Sequence, residues 1–332
     1  MNTPVALRPL AMGEIIDRSA LYWRSHFRAL FALQLAFRLP QYVLSKLNLL
    51  LVYRSFPEFA GGARMLAALT HPDAAAISRM LQGTALFGVL IFTAHYIGWQ
   101  SQFATSSFVG GEMLGRPTTV AEALSRTGAR VGSTTASFVI SMLMWAGFLL
   151  LACVPSAAVM GVGAVLVGKV PFVGWGLLIL GYLALILFLI GVFLYGIVRF
   201  MLVPTVQAVE AGSIWAAIRR AGGLVSGRVG PAFTDWLWLR ATIIITLIGV
   251  ILFVVSMVTE LPALLIQNAY GKIFSSHANL SAVPQTLLVP AELLQVLAQS
   301  VFIPIANVVA VVFYLDVRVR REGLDLELAL KT

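Results

Sequence analysis

Charged side chains are scarce in this 332-residue chain, and their scarcity excludes a large soluble domain. Charged residues make up 11% of the chain and hydrophobic residues 59%. An average soluble domain carries roughly a quarter charged residues. Cysteine is scarcer still, because Cys153 is the single one. No internal disulfide can form, and the apolar run around Cys153 predicts a packed, structural thiol.

Residues that commonly carry out chemistry are also sparse. The four histidines are scattered, and none stands at helical spacing from another histidine or from the cysteine. The chain has no zinc-protease motif, no nucleophile elbow and no paired-carboxylate site. We therefore predict a non-enzymatic protein with no catalytic, cofactor-binding or metal-binding residues. An intramembrane enzyme that acts on lipid stays open as an alternative.

Long apolar segments are what the chain has in quantity, and they predict an all-α, polytopic membrane bundle. A helix needs about 20 apolar residues to cross a hydrocarbon core roughly 30 Å thick. Six segments qualify, and connections between them are short, so we predict a single membrane domain over residues 1–332. The six predicted spans are residues 29–53, 81–107, 134–167, 172–202, 236–259 and 289–315.

The basic residues predict the orientation of these spans. Of the 23 Lys and Arg residues, sixteen fall in segments on one side of the spans and five on the other, while Arg38 and Lys46 fall inside the first span. Basic loops face the cytoplasm, so we predict that both termini, including the tail 316–332, are cytoplasmic. The net charge of +9 is then explained by topology and by attraction to an anionic lipid bilayer, not by nucleic-acid binding.

Amphipathic segments precede three of the spans. Residues 12–28 place aliphatic and aromatic side chains on one side and charged ones on the other, as in a helix that lies in the headgroup layer. Residues 123–128 and 217–222 share the pattern Ala, aliphatic, any, Arg, any, Gly. The pattern suggests three parallel units, each an interfacial helix followed by a transmembrane hairpin. The alternative is that cytoplasmic loops of membrane proteins commonly carry such helices.

Polar side chains recur at helical spacing in the first, second and sixth spans. In the first span the intervals from residue 34 to residue 48 are four, three, four and three, which places the row on one helical face. Arg38 would lie near mid-bilayer, so it should face protein or water, with Glu292 as a possible partner. The candidate cavity residues are Gln34, Arg38, Gln41, Asn48, His95, Gln102, Glu292, Gln295 and Gln299. Two alternatives remain: the rows pack helices together, or the first segment lies tilted in the interface.

The cytoplasmic ends carry charges of both signs. Such a surface could dock a cytoplasmic protein partner, and the alternative is that its charges pair within the chain and clamp the helix end. The candidate docking residues are Arg126, Arg220, Asp316, Arg318, Arg321 and Glu322.

Three segments carry a resemblance to a known family. They are LRPLAMGEIIDR at 7–18, QAVEAGSIWAAIRR at 207–220 and YLDVRVRREGLDLEL at 314–328. They resemble bacterial membrane proteins related to the membrane domain of glycerophosphoryl diester phosphodiesterase. In the enzyme that names the family, catalysis belongs to a separate soluble barrel, so the resemblance implies no catalytic residue here. It implies a component of the bacterial inner membrane.

Two functions from different classes follow from these patterns. The first is a protein that anchors or scaffolds a membrane-associated complex through its cytoplasmic face. The second is a transporter or lipid-handling permease with a polar cavity lined by the first, second and sixth spans. The sequence leaves the oligomeric state, substrate and partner open.

Overall fold

The described residues form helices joined by short connections. The computed structural model describes residues 8–56, 74–210, 212–231, 233–273 and 279–330. Within these ranges there is no strand, and one isolated bridge joins Arg228 to Trp236. The helices are α1 Met12–Ser25, α2 Phe27–Ser55, α3 Ala74–Met113, α4 Val120–Ala129, α5 Val131–Val167, α6 Pro171–Phe200, α7 Val203–Val209, α8 Ile214–Val225, α9 Leu237–Gly271, α10 Gln285–Glu322 and α11 Leu324–Ala329. The predicted all-α class is confirmed.

Five helical segments in the described residues are long and apolar enough to cross a membrane, and they support an integral membrane protein. They are Ile77–Met113, Val131–Val167, Pro171–Val209, Leu237–Gly271 and Gln285–Glu322. The first predicted span is not among them. It corresponds to α2, a helix of 29 residues that carries Arg38, Lys46 and Arg54, and these charges and the polar row lower its hydropathy.

Several predicted boundaries are corrected by the structure. The interfacial helix predicted over 12–28 ends at Ser25, and a new helix starts at Phe27. The helix that contains the predicted fifth span continues past residue 259 to Gly271, with Pro262 inside it. The residues after 259 are largely apolar, so they continue the helix and do not form a separate connecting segment. Residues 57–73, with Arg64 and His71, and residues 274–278, with His277, lie outside the described residues, as do Lys331 and the end of the tail.

The chain divides into two compact units. The tail unit comprises Met1–Met12, Ala129–Ile245 and Ala310–Thr332, and the cavity unit comprises Gly13–Gly128 and Thr246–Val309. The tail unit contains the α5–α6 hairpin, α7, α8 and the last part of α10. The cavity unit contains most of α1 together with α2, α3 and α4. The single domain predicted from the sequence stays a prediction.

In the cavity unit, polar contacts hold α1 and the following residue, His26, against their neighbours. The Tyr22 hydroxyl donates to the carboxylate of Glu112 on α3, and His26 Nε2 lies 2.8 Å from the same carboxylate. Burial, with a smaller contribution from Glu112, raises the pKa of Tyr22, so its hydroxyl stays protonated and donates. Trp23 Nε1 donates to the carbonyl of Val301 at 2.9 Å. These bonds hold α1 against α3 and α10.

In the tail unit, α5 and α6 form a hairpin whose backbones come very close. A Cβ added at Gly174 would lie closer than 3.0 Å to the backbone of Val167 and Leu166. Pro171 at the start of α6 fixes the turn that brings these helices together. Only glycine permits this approach, as in the small-residue packing of membrane helices.

We expect Gly174→Ala to destabilise the hairpin by about 1–3 kcal/mol, because the new methyl group meets backbone that cannot move aside. Gly176→Ala is the matched control, since a Cβ there meets nothing within 4 Å. Chemical unfolding in detergent micelles measures both. Equal stability of the two variants would contradict the close packing seen at Gly174.

The two matched amphipathic segments both form helices, α4 and α8. Each begins with a side-chain cap: Thr119 and Glu122 form a reciprocal capping box for α4, and Ser213 accepts from Ala216 N for α8. Their glycines differ, because a Cβ at Gly128 meets nothing within 4 Å whereas one at Gly222 would press on the Arg199 guanidinium at 3.1 Å. The three-unit repeat therefore stays a prediction.

Candidate functional site

The cavity unit contains an open polar cavity of about 260 Å³ between α2, α3 and α10. Most of its wall comes from α2 and α10, and α3 contributes one leucine. Among the described residues, two cations and one carboxylate line it. Its lining residues are Arg38, Gln41, Tyr42, Ser45, Lys46, Leu49, Leu90, Glu292, Gln295, Val296 and Gln299.

Helical spacing explains why these side chains meet. Arg38, Tyr42 and Lys46 stand four residues apart on α2, so they stack on one face over two turns. Glu292, Gln295 and Gln299 stand three and four apart on α10 and form the facing row. The sequence predicted both rows. In the structure, the middle of the α2 row, from Arg38 to Ser45, faces the row on α10 across the cavity.

Glu292 is occupied by two partners on α2. Lys46 Nζ donates to both carboxylate oxygens, at 2.8 and 2.7 Å, and the Tyr42 hydroxyl donates to Oε2 at 2.8 Å. The Lys46 and Glu292 side chains are only 12% and 16% exposed. Pairing in such a low-dielectric setting is strong when the geometry is good. Glu292 was predicted as a possible partner of Arg38, and the structure pairs it with Lys46.

Arg38 is left without a carboxylate in the described part of the chain. Its Nη1 donates to Gln41 Oε1 at 2.8 Å, and Gln41 Nε2 in turn donates to the Ala94 carbonyl at 3.4 Å. The Gln41 amide orients the guanidinium but cannot neutralise it. With Lys46 and Glu292 paired, the described lining residues carry one net positive charge, that of Arg38.

The structure separates the predicted cavity residues into two groups. Arg38, Gln41, Glu292, Gln295 and Gln299 line the cavity. The other four lie outside its lining.

Gln34 is 1% exposed, and its Oε1 accepts from Ser101 Oγ at 2.6 Å, so it joins α2 to α3. Asn48 is half-buried outside the lining, with a buried Oδ1 that has no hydrogen-bond partner among the described residues. His95 is exposed and contacts the carbonyl of Ile91 on its own helix at 2.8 Å. Gln102 is half-buried on α3. Gln34 therefore has the helix-packing role that the sequence left open as an alternative to lining a cavity.

Sequence reasoning missed Tyr42 and Lys46 as site residues. A signal was present, because both continue the four-residue spacing from Arg38 along the same helix. Lys46 was also one of two basic residues that the charge pattern assigned to neither side. A second cation within a predicted span indicates that a carboxylate lies nearby.

The candidate docking residues of the tail unit pair largely with one another. Arg220 donates to Glu322 at 2.6 Å and to Glu210 at 3.2 Å, and Arg318 donates to Glu322 at 3.0 Å. The hydrogen bond from Arg220 to Glu322 raises the pKa of the Arg220 guanidinium. Arg321 donates to the carbonyl of Ser226 at 3.0 Å. These contacts clamp the end of α10 to α8 within the chain.

Asp316 lies deeper and binds the start of the chain. Its Oδ1 accepts from the Leu10 backbone N–H at 2.7 Å and from Arg320 Nε at 3.0 Å. Arg240 Nη2 lies 3.7 Å from Oδ2 and donates to the Leu10 carbonyl at 3.0 Å. Arg126, by contrast, is exposed on α4 of the cavity unit. Asp316 is therefore a buried structural group in this unit.

Metal chemistry has no site in the described residues, where no group of three or more His, Cys, Asp or Glu side chains could hold an ion. Comparison of the chain with protein-family models, with curated proteins and with solved structures finds no match.

Proposed function

We propose that the chain is a non-enzymatic, six-span protein of the bacterial inner membrane that binds and moves a small anion, or the anionic headgroup of a lipid, through the cavity of the cavity unit. The single observation that supports this is the unbalanced Arg38 charge on the cavity wall. A charged arginine at the bilayer centre costs about 3 kcal/mol on insertion scales. A phosphate or carboxylate bound beside it would offset that cost.

The size of the cavity limits the ligand. Pockets for drug-sized ligands occupy roughly 300–1,000 Å³, and this one holds about 260 Å³. A phosphate, a small carboxylate or one lipid headgroup fits that volume. The polar lining from Gln41, Gln295 and Gln299 offers amide donors for the remaining oxygens.

The topology in this proposal adds α2, the first predicted span, to the five apolar segments, which makes six spans and keeps both termini in the cytoplasm. At 1.5 Å per residue, the 29 residues of α2 extend about 43 Å, which exceeds the roughly 30 Å hydrocarbon core. The resemblance of the chain ends to the membrane domain of glycerophosphoryl diester phosphodiesterase stays part of the proposal. It agrees with a lipid-directed role and supplies no catalytic residue.

Scaffolding through the cytoplasmic face is the weaker proposal. Five of its six candidate docking residues already contact other residues of the tail unit, which leaves fewer free groups for a partner. Reversal of charge at Arg318 and Arg321 would then disturb the chain itself before it disturbed a partner.

Water access to the cavity tests the permease proposal. We expect a Ser45→Cys variant, in a Cys153→Ser background, to react with a charged, membrane-impermeant thiol reagent, since Ser45 lines the cavity. Leu47→Cys is the matched control, because Leu47 is 59% exposed on the apolar surface of the same helix and outside the lining. Its thiol would face lipid and stay unreactive.

Right-side-out and inside-out membrane vesicles separate the possible results. Reaction of the Ser45 variant from both sides supports alternating access, and reaction from one side reduces the proposal to a binding site. A variant that reacts only after denaturation contradicts the proposal, because the cavity would then hold no water.

A further inference from the structure

The tail unit has its own cavity, larger than that of the cavity unit and different in chemistry. It occupies about 550 Å³ between the end of α6, the end of α8 and the start of α9. Leu194, Val198, Val225 and Trp238 supply much of its wall, and Arg199 is its charged residue. A groove of this kind, apolar with one cation at its edge, fits an amphiphile whose head is anionic.

Arg199 stands apart from the paired arginines of its unit. Arg220, Arg240 and Arg318 each have a carboxylate within 4.0 Å, whereas Arg199 has none among the described residues. Its Nη1 donates to the Tyr195 hydroxyl at 3.0 Å, and its guanidinium lies 5.7 Å from the centre of the Tyr195 ring. Its Nε is buried without a hydrogen-bond partner in the same ranges. Neutral groups therefore orient the Arg199 guanidinium, and no carboxylate of the described residues pairs with it.

Gly222 on α8 leaves space for the Arg199 guanidinium. A Cβ at Gly222 would lie 3.1 Å from its Cζ and Nη1, so the missing side chain makes room for it. A larger residue at position 222 would therefore displace the guanidinium from its position in the groove. Gly222, the last residue of the pattern in residues 217–222, thus leaves room for the Arg199 side chain.

The position of the groove favours lipid over a soluble anion. Arg199 lies in the last turn of α6, ten residues before the end of the apolar segment Pro171–Val209, and Trp238 lies near the start of α9. Aromatic and basic side chains at such ends lie at the level of the headgroups. Leu194 and Trp238 are 37% and 46% exposed, so the groove opens on the apolar surface where acyl chains lie.

We propose that this groove binds an anionic phospholipid, with the phosphate on Arg199 and an acyl chain along Leu194, Val198 and Trp238. Charge complementarity selects this occupant, because the described residues of the groove offer one unpaired guanidinium and no acid. Basic pockets between membrane helices bind anionic headgroups in this way. This site lies in a different unit from the proposed permease cavity, and the inference does not depend on it.

Native mass spectrometry of the detergent-purified protein tests the site. We expect phosphatidylglycerol to bind at least tenfold more tightly than phosphatidylethanolamine with the same acyl chains. Arg199→Gln should remove that preference, and Arg199→Lys should retain part of it. Arg219→Gln is the matched control, because Arg219 is exposed on α8 and lies outside the groove lining, so its loss should leave the preference unchanged.

Three results of the binding measurements would overturn the inference. They are equal binding of the two lipids by the parent protein, an unchanged preference in Arg199→Gln, and displacement of the lipid by millimolar glycerol 3-phosphate, which would point to a soluble phosphate. A dimer that carries no lipid would assign the groove to a second copy and would also overturn it. Circular dichroism of each variant verifies that it folds, and the Lys variant keeps the test valid if the Gln variant does not fold.

Discussion

Replacement of Asp316 by alanine is expected to destabilise the chain by about 3–5 kcal/mol, the cost that follows when one partner of a buried ion pair is removed. The Asp316 side chain is 0% exposed and the Arg240 side chain 6%. Without the carboxylate, Arg240 and Arg320 would lie beside each other without the acid that both now contact, and the Leu10 N–H would lose its acceptor. The free energy of unfolding, measured by denaturant titration in micelles, detects the change.

Two comparisons make this test specific. Asp17→Ala removes the same group from an exposed position on α1 and should change stability by no more than about 0.5 kcal/mol. Asp316→Asn keeps one oxygen acceptor for Leu10 and should fall between the parent and the alanine variant. A loss below about 1 kcal/mol in Asp316→Ala would show that the pair contributes little.

The second large effect concerns the charge in the cavity. Ser45 stands seven residues from Arg38, about 10 Å along the helix. A unit charge at that distance, with an effective dielectric constant near 20, interacts by about 1.7 kcal/mol, or roughly 15-fold in local concentration. Because Arg38 is the unpaired charge of the lining, we expect a thiol at position 45 to react at least tenfold faster with an anionic reagent than with a cationic one.

The fold could be predicted from the sequence to the extent that local patterns determine it. Apolar runs gave the long helices, and the amphipathic segments gave α1, α4 and α8 with errors of a few residues at their ends. The continuation of α9 to Gly271 was missed because Pro262 and Glu260 look like the end of a span. Both are tolerated in the helix, since proline within an apolar helix can be accommodated by its surroundings.

The sequence predicted which face of α2 carries polar side chains, but it did not predict which side chains pair with each other. Helical periodicity indicates that Gln34, Arg38 and Asn48 share one side of α2, but it does not tell which part of that side meets α10. The pairing of Lys46 with Glu292 joins residues 246 positions apart, so it depends on packing that no local spacing contains. The same limit applies to Asp316, whose partners Leu10 and Arg240 come from distant parts of the chain.

The most direct test of an anion-binding cavity is the ratio of anionic to cationic thiol-reagent rates at Ser45→Cys, with Arg38 and with Arg38→Gln, in the Cys153→Ser background. Arg79→Gln removes an equal charge from an exposed position on α3 and serves as the control. We expect a ratio, corrected for the reactivity of a free thiol, of at least ten in the parent and in the control, falling to about one in Arg38→Gln. A ratio near one in the parent, or one that Arg38→Gln leaves unchanged, would contradict the account.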